Sequence, residues 1–147
     1  MDQQPPIEDI KHHYAGVFLV TDTGKVIGQH RDDKPTIDNP GSIGLFGGAV
    51  EEGEDPSEAA FRELGEETNL KVRKEDIHHL MDRVAWRKFT GEWEVKHFYY
   101  AFIKEVDLKT LEVYEGQGWE YINDSDPRLS KSLYGMTKIL FDKINIL

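Results

Sequence analysis

One stretch constrains this chain more than any other. Residues 48–70 read GAVEEGEDPSEAAFRELGEETNL, and seven of these 23 residues are Glu and one is Asp. Apolar residues and a Pro interrupt the carboxylates, so the stretch is patterned rather than a plain acidic run. Asp55 stands directly before Pro56, and Glu58 follows three residues after Asp55. An Asp accepts from the free N–H groups at a helix start. A Pro sacrifices nothing at the first helical position, and a Glu three residues on reaches back to the cap's own N–H. The spacing predicts a helix from about Pro56 to Glu67, with Asn69 taking the left-handed conformation that ends it.

Successive residues of a helix turn by about 100°. Ala60, Phe61 and Leu64 then share one arc, which should face the core. Glu63, Glu66 and Glu67 stand at i, i+3 and i+4 on the adjacent arc, with Glu67 on the border. Three carboxylates this close repel one another unless cations sit among them. Hard divalent ions that prefer oxygen ligands, Mg²⁺ above all, are the natural partners. Arg62 lies four residues after Glu58 and four before Glu66, positioned to hold or orient the cluster. The competing reading is a solvated acidic helix face.

A chain of 147 residues suggests one domain over 1–147, with residues 1–11 as a loose N-terminal arm. The absence of Cys removes disulfides, thiolate nucleophiles and zinc–thiolate sites. No apolar run approaches membrane-spanning length and the N-terminus carries no signal-peptide core, so a cytoplasmic protein without membrane contact is expected. The formal charge of −10 argues against nonspecific binding of duplex nucleic acid. An anionic substrate would need metal ions and a few placed Arg or Lys residues.

YAGVFLV at 14–20 reads as a buried strand, and KVIGQHR follows the turn Thr21-Asp22-Thr23-Gly24 as its hairpin partner. The glycines 41, 44, 47 and 48 lack both the GK[ST] ending and the GxGxxG spacing of nucleotide loops, and are read as letting the backbone turn tightly before the helix. Residues 81–103 form a second hairpin around Thr90-Gly91, LKTLEVYEGQGWEYI supplies a last strand, and an amphipathic helix runs from about Ser130. On that last helix Leu133, Met136, Ile139, Leu140 and Ile144 recur at helical spacing. Trp86, Trp93, Trp119 and Tyr100 are candidates for stacking on a nucleobase. His78, His79 and His97 show no helical ligand spacing and are read as structural or surface residues. The order of elements suggests a mixed sheet packed between helices, and leaves α+β arrangements equally open.

The string Gly48, Glu54, Arg62-Glu63-Leu64, Glu66-Glu67, Asn69-Leu70 resembles the signature of the Nudix hydrolases at all but one position, Asn69, where the family usually has Gly. Phe46 also stands where family members commonly have Pro. The resemblance implies the Nudix α/β/α sandwich, an α/β fold. It implies a Mg²⁺-dependent pyrophosphohydrolase, with Mn²⁺ as a substitute, acting on a nucleoside diphosphate linked to another group. It makes Glu63, Glu67, Glu66 and the Gly48 carbonyl candidate metal ligands, with Glu66, Glu63 and Arg62 in the catalytic set and Glu54 joining through water. Arg31 becomes a candidate phosphate contact and Trp119 a substrate contact. Glu115-Gly116-Gln117 is similar to an element of mutator-type nucleotide hydrolases whose Glu reaches the metal, so Glu115 joins the ligand candidates. That element points to a nucleoside triphosphate cleaved to monophosphate and pyrophosphate, or to a small nucleotide conjugate. Residues 84–90 lack the Pro of ADP-ribose hydrolases and the Tyr of dinucleoside polyphosphate hydrolases, and residues 29–47 lack the coenzyme A motif. A nucleotide-sugar hydrolase, an RNA 5′-end pyrophosphohydrolase and a non-catalytic nucleotide sensor are the alternatives. A small nucleotide is the expected partner, and a homodimer is compatible with the family.

Overall fold

The apolar run after Tyr14 becomes the centre of the sheet. In the computed structural model, which describes residues 3–145, β1 spans His12–Thr21 and is followed by β2 at Val26–His30, β3 at Ile43–Gly44 and β4 at Phe46–Ala49. Then come α1 at Pro56–Glu67, β5 at His78–Arg87, β6 at Glu92–Ile103, β7 at Gly118–Tyr121 and α2 at Met136–Ile144. β1 pairs in parallel with β6 along its whole length. Its other edge takes β2 antiparallel near Leu19 and β4 antiparallel near Gly16. The seven-stranded mixed sheet runs β3-β2-β1-β6-β5, with β4 on β1 and β7 on β2.

Side chains alternate across a strand, so a central strand with helices on both faces must be apolar throughout. Ala15, Val17 and Leu19 join Tyr99, Ala101 and Ile103 against Ala59, Ala60 and Leu64 of α1. Phe18 and Val20 join Phe98 and Ile43 against Met136 and Leu140 of α2. The result is the expected sheet between helices. Among the described residues no helix is long and apolar enough to cross a membrane.

Helix α1 begins and ends where its capping pattern placed it. Asp55 accepts from Ser57 N at 3.4 Å, and Glu58 accepts from Asp55 N at 3.2 Å. Its end is made differently. Thr68, not Asn69, closes the helix in an extended conformation (φ −140°), donating its N–H to Leu64 O. The Asn69 amide instead bridges to the backbone, donating to Thr110 O and accepting from Glu112 N, both at 2.9 Å. No left-handed residue is needed there, which explains how Asn replaces Gly.

Other expectations shift with tertiary packing. Phe61 is 42% exposed, because Ala59 takes the place in the core that the arc had assigned to it. Ile139 on α2 is exposed as well. That helix starts only at Met136, because Gly135 adopts φ 77° and separates it from a 3₁₀ turn at Lys131–Leu133. The last strand is only Gly118–Tyr121, the preceding residues forming a 3₁₀ turn at Glu105–Lys109 and loop. The N-terminal arm is tied down at its end: Ile7–Asp9 form a 3₁₀ turn and Ile10 is buried.

Candidate active site

Gly47 and Gly48 lie within β4 and do not make a tight turn. Their lack of side chains permits close approach instead. A Cβ on Gly47 would stand 2.2 Å from Ala15 O, and one on Gly48 would stand 2.4 Å from Glu63 Oε1. Through these glycines α1 lays its carboxylates directly against β4. Left-handed turns fall elsewhere, at Gly41 and Gly53.

Arg62 is the hub of the acidic face. Its Nε and Nη2 donate to the two oxygens of Glu54 at 2.9 and 3.1 Å, a bidentate pair. Nη1 reaches Glu63 Oε1 at 3.0 Å and Glu66 at 3.4 Å, while Nη2 also donates to Ala49 O at 3.1 Å. Glu58 is not among its partners, being engaged in the capping box. This hydrogen bonding to Arg62 holds the Glu54 carboxyl below the usual carboxylate range. Glu54 is therefore tied to Arg62 and serves the guanidinium.

Glu67 is the outlier. It is 1% exposed, and its carboxylate accepts only from Gly47 N, at 3.2 Å to either oxygen. Burial, then the charges of Glu63 and Glu115, push its pKa up to about 9. Glu63 is raised as well, by burial first, against the hydrogen bond from Arg62. Glu66 is 58% exposed on the outer side of the cluster. As the side chains stand, no three acidic or imidazole groups converge to metal-ligand distances among the described residues. The reason is visible: Arg62 draws Glu54, Glu63 and Glu66 to itself, while Glu67 turns to Gly47. Glu67 has no cation partner among the described residues, and two further carboxylates raise its proton affinity. An oxygen-only donor set with one buried, uncompensated member fits a hard divalent cation.

The Glu115 turn reaches this group from β2. Gln117 donates from its backbone to His30 O at 2.7 Å and from its side chain to Arg31 O at 2.9 Å. Gly116 adopts φ 75°, and a Cβ there would meet His30 O at 2.4 Å. The Gly and Gln thus clasp the end of β2. Glu115 is exposed, and its charge acts on both Glu63 and Glu67. Glu120 is occupied otherwise, paired with Arg128 at 2.9 Å.

Beyond the glycines lies a cleft of about 1090 Å³, bordered by Tyr14, Arg31, Gly47, Gly48, Arg87 and Lys96. Arg31 lines it, its Nε donating to Asp38 O at 2.9 Å. Trp86 also reaches the cleft, edge-on to Trp93 at 5.2 Å. Trp119 does not. It packs against the α1-side core and, edge-on, against Tyr121. Tyr100 packs on His78 and Phe102. The histidines are structural: His97 links His13 at 2.8 Å to Asp82 at 2.9 Å, and His79 joins Asp82 at 2.7 Å. Tyr14 and Lys96 carried no signal of their own in the sequence. The Gly16 and Gly47 that make room beside Tyr14 lie 31 positions apart, and only the pairing of β1 with β4 brings them together.

The fold has counterparts among known proteins. The family model described as NUDIX domain matches residues 11–125. A MutT/nudix family protein from Enterococcus faecalis shares 24% identity over 82% of this chain, with a TM-score of 0.63. A MutT protein from Methanosarcina mazei Go1 shares 16% over 97% of this chain and 100% of its own length, at 0.70. A bifunctional NMN adenylyltransferase/ADP ribose pyrophosphatase from Francisella tularensis, complexed with AMP and a Mn ion, shares 18% over 89% of this chain, at 0.64. This chain spans 47% of the first and 41% of the third. At these identities the likeness is one of fold.

Proposed function

The chain belongs to the Nudix hydrolase family, whose members act on phosphoric anhydride bonds, and from that premise we propose that it is a Mg²⁺-dependent nucleotide pyrophosphohydrolase. The observation that carries this reading is Glu67: a buried carboxylate with no cation partner among the described residues, beside Glu63 and within reach of the charge of Glu115. Glu67, Glu63 and Glu115, with the Gly48 carbonyl, would hold the cation once their side chains turn towards it, and Mn²⁺ would substitute, the Francisella relative being complexed with a Mn ion. When bound, the cation neutralises charge on phosphoryl oxygens and lowers the pKa of a bound water.

The chain's own residues do the rest. Arg62 fixes the Glu63 rotamer through Nη1 and anchors the helix face to β4 through Ala49 O. Glu66, exposed and only loosely held at 3.4 Å, is the carboxylate free to accept a proton from the attacking water. Arg31 neutralises a substrate phosphate in the cleft, its guanidinium exchanging the Asp38 carbonyl for the anion.

The substrate is a nucleoside triphosphate, cleaved to monophosphate and pyrophosphate, or a small nucleotide conjugate. The Glu115-Gly116-Gln117 turn supports this choice. The test is kcat/KM over nucleoside triphosphates, nucleotide sugars, ADP-ribose and dinucleoside polyphosphates at equal Mg²⁺, with products identified. Triphosphates should lead. A tenfold preference for ADP-ribose, the substrate named for the Francisella relative, would overturn the substrate class and leave the metal chemistry standing.

A further inference from the structure

Tyr14 is built into the cleft wall with more care than packing alone requires. Its ring lies across two glycines on paired strands, Gly16 of β1 and Gly47 of β4. A Cβ on Gly16 would stand 2.5 Å from the Tyr14 hydroxyl oxygen, and one on Gly47 would stand 2.9 Å from it. Both positions therefore leave room for this ring. Lys96 Nζ lies 5.1 Å from the ring centroid, close enough for a cation–π contact that holds the ring in place. The hydroxyl itself makes no hydrogen bond among the described residues. It is not a sealed polar atom either, because Tyr14 borders the cleft.

The position of that hydroxyl gives it a use. It stands over the backbone of Gly47, whose N–H holds Glu67 on the other side. Arg31 borders the same cleft. Gly47 and Gly48, which Glu67 and Glu63 approach from the α1 side, border that cleft together with Tyr14, so a diphosphate running from the edge of these glycines to Arg31 would pass the hydroxyl. Burial, followed by the negative charge of Glu67, holds the phenol above its ordinary range, so it is neutral and a donor. A neutral donor with no protein acceptor, facing a polyanion, makes a charge-assisted hydrogen bond.

We infer that the Tyr14 hydroxyl donates to a non-bridging phosphoryl oxygen of the bound substrate and is thereby a catalytic residue of this enzyme. The inference rests on the pyrophosphohydrolase reading above. It goes beyond that reading by assigning a substrate contact to a residue outside the acidic helix.

The test is Tyr14→Phe, which keeps the ring over the glycines and under Lys96 and removes only the hydroxyl. Three quantities are measured beside wild type: kcat/KM on a nucleoside triphosphate, a nucleotide sugar and ADP-ribose, the melting temperature in chelator, and calorimetric binding of inorganic pyrophosphate with Mg²⁺. Loss of a hydrogen bond to a charged group lowers kcat/KM roughly 10- to 100-fold. The drop should be similar for every substrate that wild type cleaves, since the diphosphate is common to all. The melting temperature should not move, because the hydroxyl has no protein partner to lose. Activity within about twofold of wild type overturns the proposal. So does a drop confined to one base or sugar, or a lower melting temperature, which would give the hydroxyl a structural role. If wild type cleaves none of these substrates, the pyrophosphohydrolase reading fails separately. Pyrophosphate binding then decides on Tyr14: weaker binding by the variant supports the contact, and equal binding refutes it.

Discussion

Replacing Glu67 by Gln should stabilise the metal-free protein while destroying its activity. The unfolded chain carries an ordinary carboxyl that ionises near 4.5, whereas the folded chain holds the Glu67 proton until about pH 9. Because the folded pKa is the higher one, the stability this group contributes is complete below about pH 4.5. It is lost progressively as pH rises towards 9. At pH 8 the gap from 4.5 corresponds to a cost of about 5 kcal/mol, taking about 1.4 kcal/mol for each pH interval. Gln removes that cost and can still accept from Gly47 N. Its amide N–H₂ must find partners in the same enclosed space, which offsets about 2 to 3 kcal/mol. The net gain is about 2 kcal/mol, or roughly 4 to 8 °C in melting temperature for a domain of this size. The assay is thermal melting in chelator at pH 5 and pH 8, beside turnover at saturating Mg²⁺. The variant should melt higher than wild type at pH 8, and the difference should narrow at pH 5. Turnover should fall by at least about 10²-fold, because an anionic ligand to the cation is gone. A variant that melts at or below wild type at pH 8 would refute the account of Glu67 as an uncompensated buried charge. Near-wild-type turnover would refute its role as a ligand.

Millimolar Mg²⁺ should raise the melting temperature of wild type, by about 2.7 kcal/mol of stabilisation at a hundredfold excess over Kd, and much less in Glu67→Gln; an unmoved transition would count against the cation site. Ca²⁺ should give a similar thermal shift with little turnover, since its looser coordination orients water poorly; equal rates in the two metals would contradict this. Glu115→Gln should impair kcat more than Glu120→Gln, because the charge of Glu115 acts on Glu63 and Glu67 whereas Glu120 is occupied by Arg128; equal, small effects would reduce the turn to its clasp on β2. Arg62→Lys should lower kcat by about tenfold or more, since a single ammonium cannot hold Glu54 through two parallel bonds and reach Glu63 and Ala49 O as well; unchanged kinetics would dismiss its organising role.

The helix and its acidic face were legible in the sequence because they depend on local spacing. Asp55, Pro56 and Glu58 start the helix through contacts within one turn, and the Glu63, Glu66, Glu67 pattern follows from helical periodicity alone. The strands of the two hairpins were legible for the same reason, through alternation and the turns at Gly24 and Gly91. What the sequence could not decide was how equivalent-looking residues divide their work. Glu54, Glu63, Glu66 and Glu67 are one residue type, yet Arg62 gathers three of them and burial isolates the fourth. That division depends on β4 lying against α1, which two glycines permit through pairing with β1. Asn69 took a different role because its partners, Thr110 and Glu112, lie more than 40 residues away in the chain. Phe61 and Trp119 take their places for a related reason, since periodicity shows a face but not what the fold sets against it. Tyr14 had no local signal at all. Its environment of Gly16, Gly47 and Lys96 comes from three strands, and only the folded sheet brings them to one wall.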